Sequence, residues 1–311
     1  MKHRILAVAL MAALAAFAIS CGTNVNITNP NVTDTLGIAF GTDSTFDVIT
    51  WNIENFPKNN PETSNLLRTL IPNLKADCIA IQEVRYISDF VSLVNQLPGW
   101  GYYMSGIGDT KTAIIYNTNN VQVDSSATIF TNMTNPFPRP PLLIRLRWQG
   151  EQIIMISLHL KAFGNNVIEE TNPNDEEVRR RYACQLLDQY IMENFSDSRV
   201  IVVGDWNDQI QEPESTNVFM SFLSKPDEYK FADMSIAMNL TAQNCSYPGY
   251  FSHLDHILIT NELFRAFSDA GSYVRTINVE NFIAGGWNSY DKYISDHRPV
   301  GARFRFMDYH K

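Results

Sequence analysis

With 311 residues, 45% of them hydrophobic and 18% charged, the chain is too apolar to be intrinsically disordered, too balanced to be fibrous, and long enough for one large core. A net charge of −9 and an isoelectric point near 5.1 argue against a protein that grips nucleic acid through a broad basic face. They are compatible with carboxylates gathered round a bound cation, because the ion reverses the local potential.

The chain opens on a basic start, Lys2-His3-Arg4, followed by an apolar run from Ile5 to Ile19. That run has signal-peptide length and is short for a bilayer span. It ends in Ala18-Ile19-Ser20-Cys21, small residues followed by a cysteine. The arrangement resembles the lipobox of a bacterial lipoprotein, against the plainer alternative of a secretory signal with an incidental cysteine. The expectation is therefore a signal segment over 1–21, a lipid on Cys21, and an exported protein held on the outer membrane of the cell envelope. Several acyl chains on one residue anchor stably where one binds only marginally. Residues 22–45, rich in Thr, Asn, Gly and Asp without hydrophobic periodicity, read as a flexible tether. A single domain is expected over 46–311.

Within it, β-branched and aliphatic runs predict strands at Asp47–Trp51, Cys78–Ile81, Thr112–Tyr116, Leu142–Trp148, Ile153–Leu158, Val200–Val203, Ile257–Thr260 and Val300–Phe306. Helical patterns lie at Ser64–Leu74, where Pro72 should shorten the helix, at Ser88–Leu97 and at Glu176–Asn194. The polar stretch from Gly164 to Glu177 reads as a long surface loop. The alternation suggests an α/β layered domain, with two sheets packed inside and helices outside. Beyond Cys21 an odd number of cysteines remains. Cys78 lies in an apolar run and is read as a buried small hydrophobe, which leaves Cys184 and Cys245 open to bridging. No cysteine or histidine spacing suggests a zinc site; His253 and His256 are close but do not lie in a helical pattern.

The chemistry is expected where polar residues end the strands: Trp51-Asn52-Ile53, Gln82-Glu83-Val84, His159-Leu160-Lys161, Gly204-Asp205-Trp206-Asn207, Leu254-Asp255-His256 and Ser295-Asp296-His297-Arg298-Pro299. Side chains at strand ends tend to converge on one edge of a sheet. Singly, each has an ordinary structural explanation, as a turn carboxylate or a satisfied histidine. In this order they resemble the endonuclease/exonuclease/phosphatase superfamily over about Phe46 to Phe306. The resemblance implies a four-layer α/β sandwich of two mixed sheets flanked by helices, and hydrolysis of phosphoesters with a divalent metal, Mg²⁺ foremost, with Mn²⁺ or Ca²⁺ as alternatives.

It also implies roles. Glu83 and Asp296 would be the metal carboxylates, with Asn52 beside the metal. Asp205 and Asn207, two apart and so on one side of an extended segment, would orient or activate the nucleophile. His297 would be the principal imidazole at the phosphate, as base or as donor, its tautomer fixed by Asp255. His159 matches a second histidine of the DNase I and sphingomyelinase branches, and Arg139 the arginine that holds a phosphate oxygen, against the alternative of a surface arginine. Arg179-Arg180-Arg181 are read as a solvated face with local ion pairs, Trp206 as packing, and the Phe282–Trp287 stretch as a loop folded back onto the core. The functional expectation is a monomeric nuclease with nucleic acid as substrate, the lipid as its membrane contact and no protein partner. A lipid or small phosphoester substrate is the second reading. A binding protein that has lost catalysis is the third, disfavoured because Glu83, Asp205, Asn207, Asp296 and His297 all fit the pattern.

Overall fold

The computed structural model describes residues 37–306. The signal segment, Cys21 and the first part of the expected tether lie outside the described residues. Twelve strands form two six-stranded sheets. In the first, the order is β11 (Tyr273–Thr276), β12 (Val300–Phe304), β1 (Phe46–Phe56), β2 (Cys78–Val84), β4 (Lys111–Asn117) and β3 (Trp100–Met104). In the second it is β5 (Val121–Thr128), β6 (Leu142–Trp148), β7 (Glu151–His159), β8 (Val200–Asp205), β10 (Asp255–Thr260) and β9 (Tyr229–Phe231). Both sheets are mixed: β1–β2 and β7–β8 run parallel and the other pairs antiparallel.

Strand alternation sorts the side chains into layers. On β1, Phe46 and Val48 point between the sheets, while Ile49, Trp51 and Ile53 point to the outer helices. The same split places Cys78, Ala80, Ile201, Val203, Ile257 and Ile259 in the inter-sheet core. The outer face of the first sheet is covered by α1 (Glu62–Asn73), α2 (Ile87–Asn95) and α7 (Gly286–Tyr293), through Leu67, Leu70, Phe90 and Tyr290. The outer face of the second is covered by α3 (Glu176–Phe195) and α4 (Met220–Leu223), through Leu187, Ile191 and Phe222. The result is the helix–sheet–sheet–helix sandwich expected from the sequence. Two shorter helices, α5 (Met234–Met238) and α6 (Phe264–Ser268), fill connections. Pro72 sits in the last turn of α1, which ends at Asn73, and Asp175 caps α3 by accepting the Val178 amide at 2.9 Å.

Three features differ from or sharpen the sequence reading. Packing begins before Phe46: Ile38 and Phe40 are buried, and the Phe40 and Gly41 amides donate to Leu74 O at 2.9 and 3.0 Å. The end of the expected tether is thus part of the body, because its isolated apolar residues find partners far along the chain. Cys78, Cys184 and Cys245 are all free and buried, so Cys184 and Cys245 are not bridged. The 164–177 loop is pinned by Glu177, whose Oε1 accepts the Asn165 and Asn166 amides at 2.7 and 2.6 Å.

Candidate active site

The inward-facing series of each central strand is apolar at one end and turns polar at the other. It runs Phe46, Val48, Thr50, Asn52 on β1; Ile153, Met155, Ser157, His159 on β7; Ile201, Val203, Asp205 on β8; and Ile259, Ile257, Asp255 on β10. The register makes His159 and Asp255 the flanking partners of Asp205. Strand parity alone would send Glu83 outward; a register shift in β2, with Glu83 at φ +65°, turns it back toward Asn52. Gly204 permits the close approach of β7 and β8, since a Cβ there would lie 2.1 Å from Leu158 O.

These side chains meet between the sheets at one end. Asn52 Nδ2 donates to Glu83 Oε1 and to Asp205 Oδ2, each at 3.0 Å, while Asn52 Oδ1 accepts the Glu54 amide at 2.9 Å. The amide thus turns its nitrogen to the carboxylates, so Asn52 holds Glu83 and Asp205 in place beside the expected metal carboxylate. Glu83 Oε2 accepts the Asn55 amide at 2.9 Å. His159 Nε2 lies 3.5 Å from Asp205 Oδ2 and 3.9 Å from Glu83 Oε1. His297 Nδ1 bonds Asp255 Oδ2 at 2.8 Å, and its Nε2 faces Asp205 Oδ2 at 3.9 Å and Asp296 Oδ1 at 4.0 Å. The expected Asp255–His297 pair is therefore formed.

One expected residue sits differently. Asn207 adopts φ +56°, which asparagine tolerates, and sends its amide nitrogen to Leu160 O at 3.2 Å. The segment is not extended, so Asp205 and Asn207 do not project side by side; instead the Asn207 amide N–H holds Asp205 Oδ1 at 2.9 Å. Arg139 lies beside the cluster, its Nη1 donating to Leu160 O at 2.8 Å. Among the three arginines of α3, Arg180 is buried and not solvated: its Nε donates to Asp208 Oδ2 at 2.7 Å and its Nη1 to the Lys161 and Phe163 carbonyls. A helix of mixed polarity gave no sign of which arginine faces inward.

Protonation divides the cluster. Burial pushes Asp205 up to about 7 against the lowering effect of His297. Burial works against the His297 charge too, yet Asp255 and Asp205 raise it to about 10. His159 is driven well below the usual imidazole range by burial and by Arg139 and His297. One buried site thus holds a carboxyl poised near neutrality, a cationic imidazole and a neutral one. Such divergence marks acid and base assignments.

Two neighbours escaped the sequence reading. Glu54 accepts the Asp296 amide at 3.0 Å and pairs with Lys58; burial raises its carboxyl, with Asp296 adding to the effect. Tyr247 lays its ring 4.6 Å from that of His297. Glu54 directly follows Trp51-Asn52-Ile53, but nothing in the pattern separated it from a turn residue; Tyr247 had no signal. Asp233, His253 and His256 form a second buried cluster, with His256 Nδ1 donating to Asp233 Oδ2 at 2.6 Å and Nε2 to Asp208 O at 2.9 Å. As an imidazolium, raised by Asp233 despite burial, His256 braces the end of β8 from behind. Trp206 packs against Phe219, Phe222 and Phe231, as expected.

The donor set fits a divalent cation. Asp205, Asp255 and His297 bring ligand atoms within 4.8 Å of one another, Glu83 and Asp296 add carboxylate oxygens beside them, and among the described residues no lysine or arginine pairs with Glu83, Asp205 or Asp296. Hard oxygen donors with uncompensated charge suit Mg²⁺-type ions and not soft metals.

The model of the endonuclease/exonuclease/phosphatase family matches residues 49–297. Among solved structures, D. rerio TDP2 complexed with a single-strand DNA product is similar at 17% identity and a TM-score of 0.64, covering 85% of this chain and 100% of that one. The human nocturnin catalytic domain with bound sulfate is similar at 18% identity and a TM-score of 0.59, covering 85% of this chain and 95% of that one. A family protein from Bacteroides thetaiotaomicron is similar at 15% identity and a TM-score of 0.58, covering 85% and 98%. At these identities the likeness shows the fold. No curated protein matches the chain.

Proposed function

The chain belongs to the endonuclease/exonuclease/phosphatase family of metal-dependent phosphoester hydrolases, and from that premise we propose that it is an exported, Mg²⁺-dependent nuclease, anchored on the bacterial envelope by a lipid on Cys21. One observation carries the chemistry: Asn52, Glu83, His159, Asp205, Asp255 and His297 converge at one end of the two sheets, with carboxylates that no lysine or arginine among the described residues neutralises.

Water must attack phosphorus while negative charge grows on the phosphoryl oxygens. Asp205, with its carboxyl near 7, is the base that takes the proton of the attacking water at neutral pH. Asn52 and the Asn207 amide hold its two oxygens and fix its direction. His297 Nε2–H has no partner within hydrogen-bond distance and is free to donate to a phosphoryl oxygen; Asp255 keeps the ring charged and oriented. Neutral His159 offers a second contact beside Asp205. Glu83 and Asp296 would hold the cation, whose contribution when bound is to polarise the phosphate as a Lewis acid.

Nucleic acid as substrate is supported by the solved TDP2 complex of the same fold with a DNA product. The test is hydrolysis by the full chain of plasmid DNA, single-stranded DNA, RNA, sphingomyelin and bis-p-nitrophenyl phosphate, with Mg²⁺ or with chelator, beside His297→Ala. Metal-dependent cutting of nucleic acid that His297→Ala abolishes upholds the reading. Turnover of the lipid or small diester alone retains the mechanism and replaces the substrate class. Globomycin sensitivity and metabolic labelling with palmitate test Cys21.

A further inference from the structure

The segment that carries Tyr247 is built with unusual definition for an exposed turn. Tyr247 and Ser252 exchange backbone hydrogen bonds at 2.9 and 3.1 Å, closing a loop around a short 3-10 turn, Pro248–Tyr250. Pro248 fixes the entry, and Phe251 closes the loop at φ +51°, a left-handed conformation that a bulky side chain adopts only when its surroundings impose it. From behind, Arg298 of the Ser295–Pro299 motif donates to the Ala242 carbonyl, and its own amide binds Ser246 O at 2.7 Å. The loop is thus tied to the same motif that supplies Asp296 and His297.

What this construction holds up is a run of rings. Tyr247 lies against His297 at 4.6 Å, and Tyr250 stacks on Tyr247 at 5.2 Å with only 13° between the planes. The hydroxyl of Tyr247 is pushed up to about 12, by burial and then by Asp296, which puts this ring at the edge of the acidic cluster. Tyr250, at the outer end, packs one face on Tyr247 and is 77% exposed.

We infer that Tyr250, carried on Tyr247, is a stacking platform for a base of single-stranded nucleic acid next to the phosphate being cut. The inference rests on the nuclease reading and narrows it. A base in a duplex has both faces covered by its neighbours, whereas a single strand or a frayed end offers a free π-face to an aromatic ring. It also answers the charge of the chain. A protein at −9 gains little from tracking a phosphate backbone, so its hold on a strand must come from a contact that does not depend on charge.

The experiment compares hydrolysis by the full chain of a single-stranded oligothymidylate and of an equally long strand made only of abasic tetrahydrofuran residues, with wild type, Tyr250→Ala and Tyr250→Phe. The two strands share backbone and charge and differ only in the bases. Wild type should prefer the thymidylate in kcat/KM by on the order of tenfold or more, chiefly through KM. Tyr250→Ala should bring the ratio close to one, and Tyr250→Phe should keep it, since the ring and not the hydroxyl stacks. General damage to the fold would lower both substrates alike and leave the ratio unchanged. If wild type cuts both strands equally, or Tyr250→Ala keeps the preference, the platform is wrong and the nuclease stands. If wild type cuts neither strand, the platform falls, and the nuclease reading then rests on plasmid DNA and RNA.

Discussion

Replacing Asp255 by asparagine separates two functions of that carboxylate, holding the His297 ring and keeping it charged. The shapes are nearly identical, and the asparagine oxygen can still accept from Nδ1 across the 2.8 Å contact. What disappears is the anion that leads the effects raising His297 to about 10 against burial. Without it the imidazole should fall toward its ordinary value near 6.5, a change of about 5 kcal/mol in the stability of the charged ring. At pH 8 a ring of that pKa is only about 3% protonated, so the loss of charge alone lowers the rate by about 30-fold. Near pH 5.5 it lowers the rate hardly at all. The assay is kcat for bis-p-nitrophenyl phosphate from pH 5.5 to 10 at saturating Mg²⁺, with thermal melts to confirm folding. Wild type should rise through about pH 7, as Asp205 loses its proton, and hold its rate toward pH 10. The variant should peak just below pH 7 and fall about tenfold per pH unit above about 7.5. A variant profile that is merely lower and parallel to wild type would refute the assignment of His297 as a charged donor, and a profile that rises with pH would make it the base.

Other consequences follow from buried groups. Gly204→Ala forces a Cβ to within 2.1 Å of Leu158 O, and should cost about 1–3 kcal/mol or more by overpacking, read as a lower urea midpoint; a shift under about 0.5 kcal/mol would contradict the close strand approach. Arg180→Ala leaves Asp208 and Glu177 buried without their cation and should destabilise by about 3–5 kcal/mol, with protease cutting near Phe163 as the loop loses its anchor. Burial raises Asp47 to about 7 and Asp77 to about 6, so the folded state holds protons that the unfolded chain releases near pH 4. With more protons bound in the native state, stability falls as pH rises between about 4 and 7, by up to about 1.4 kcal/mol per pH unit for each group. Melting temperatures in chelator should show that slope, and Asp47→Asn should reduce it; an unchanged slope would assign it to Asp205 and Glu212, which shift the same way.

The sequence by itself determined the layered architecture and the place of the chemistry. Strands covered on both faces are largely apolar, so β1, β2, β4, β7, β8, β10 and β12 announce themselves as aliphatic runs, β6 shows the alternation of a strand with one open face, and the polar residues that end the central runs mark where a ligand can reach. The strands it did not show, β3, β5, β9 and β11, are the four sheet edges. An edge needs less cover, so Val121–Thr128 can be largely polar, and Trp100–Met104 only half buried, without losing their place in the ladder. Asn52, His159, Asp205 and Asp255 were legible because strand parity carries them inward. Glu83 reaches the site only through a register shift, Asn207 leaves its expected direction through a left-handed turn, Glu54 lies at φ +33° in the irregular end of β1, where the alternation breaks, and Tyr247 enters from a loop with no periodicity to read. Tertiary structure alone decided which arginine of α3 is buried and how far each proton is held from its ordinary value. Both depend on distances between residues far apart in the chain, and a local pattern of residue types does not encode those distances.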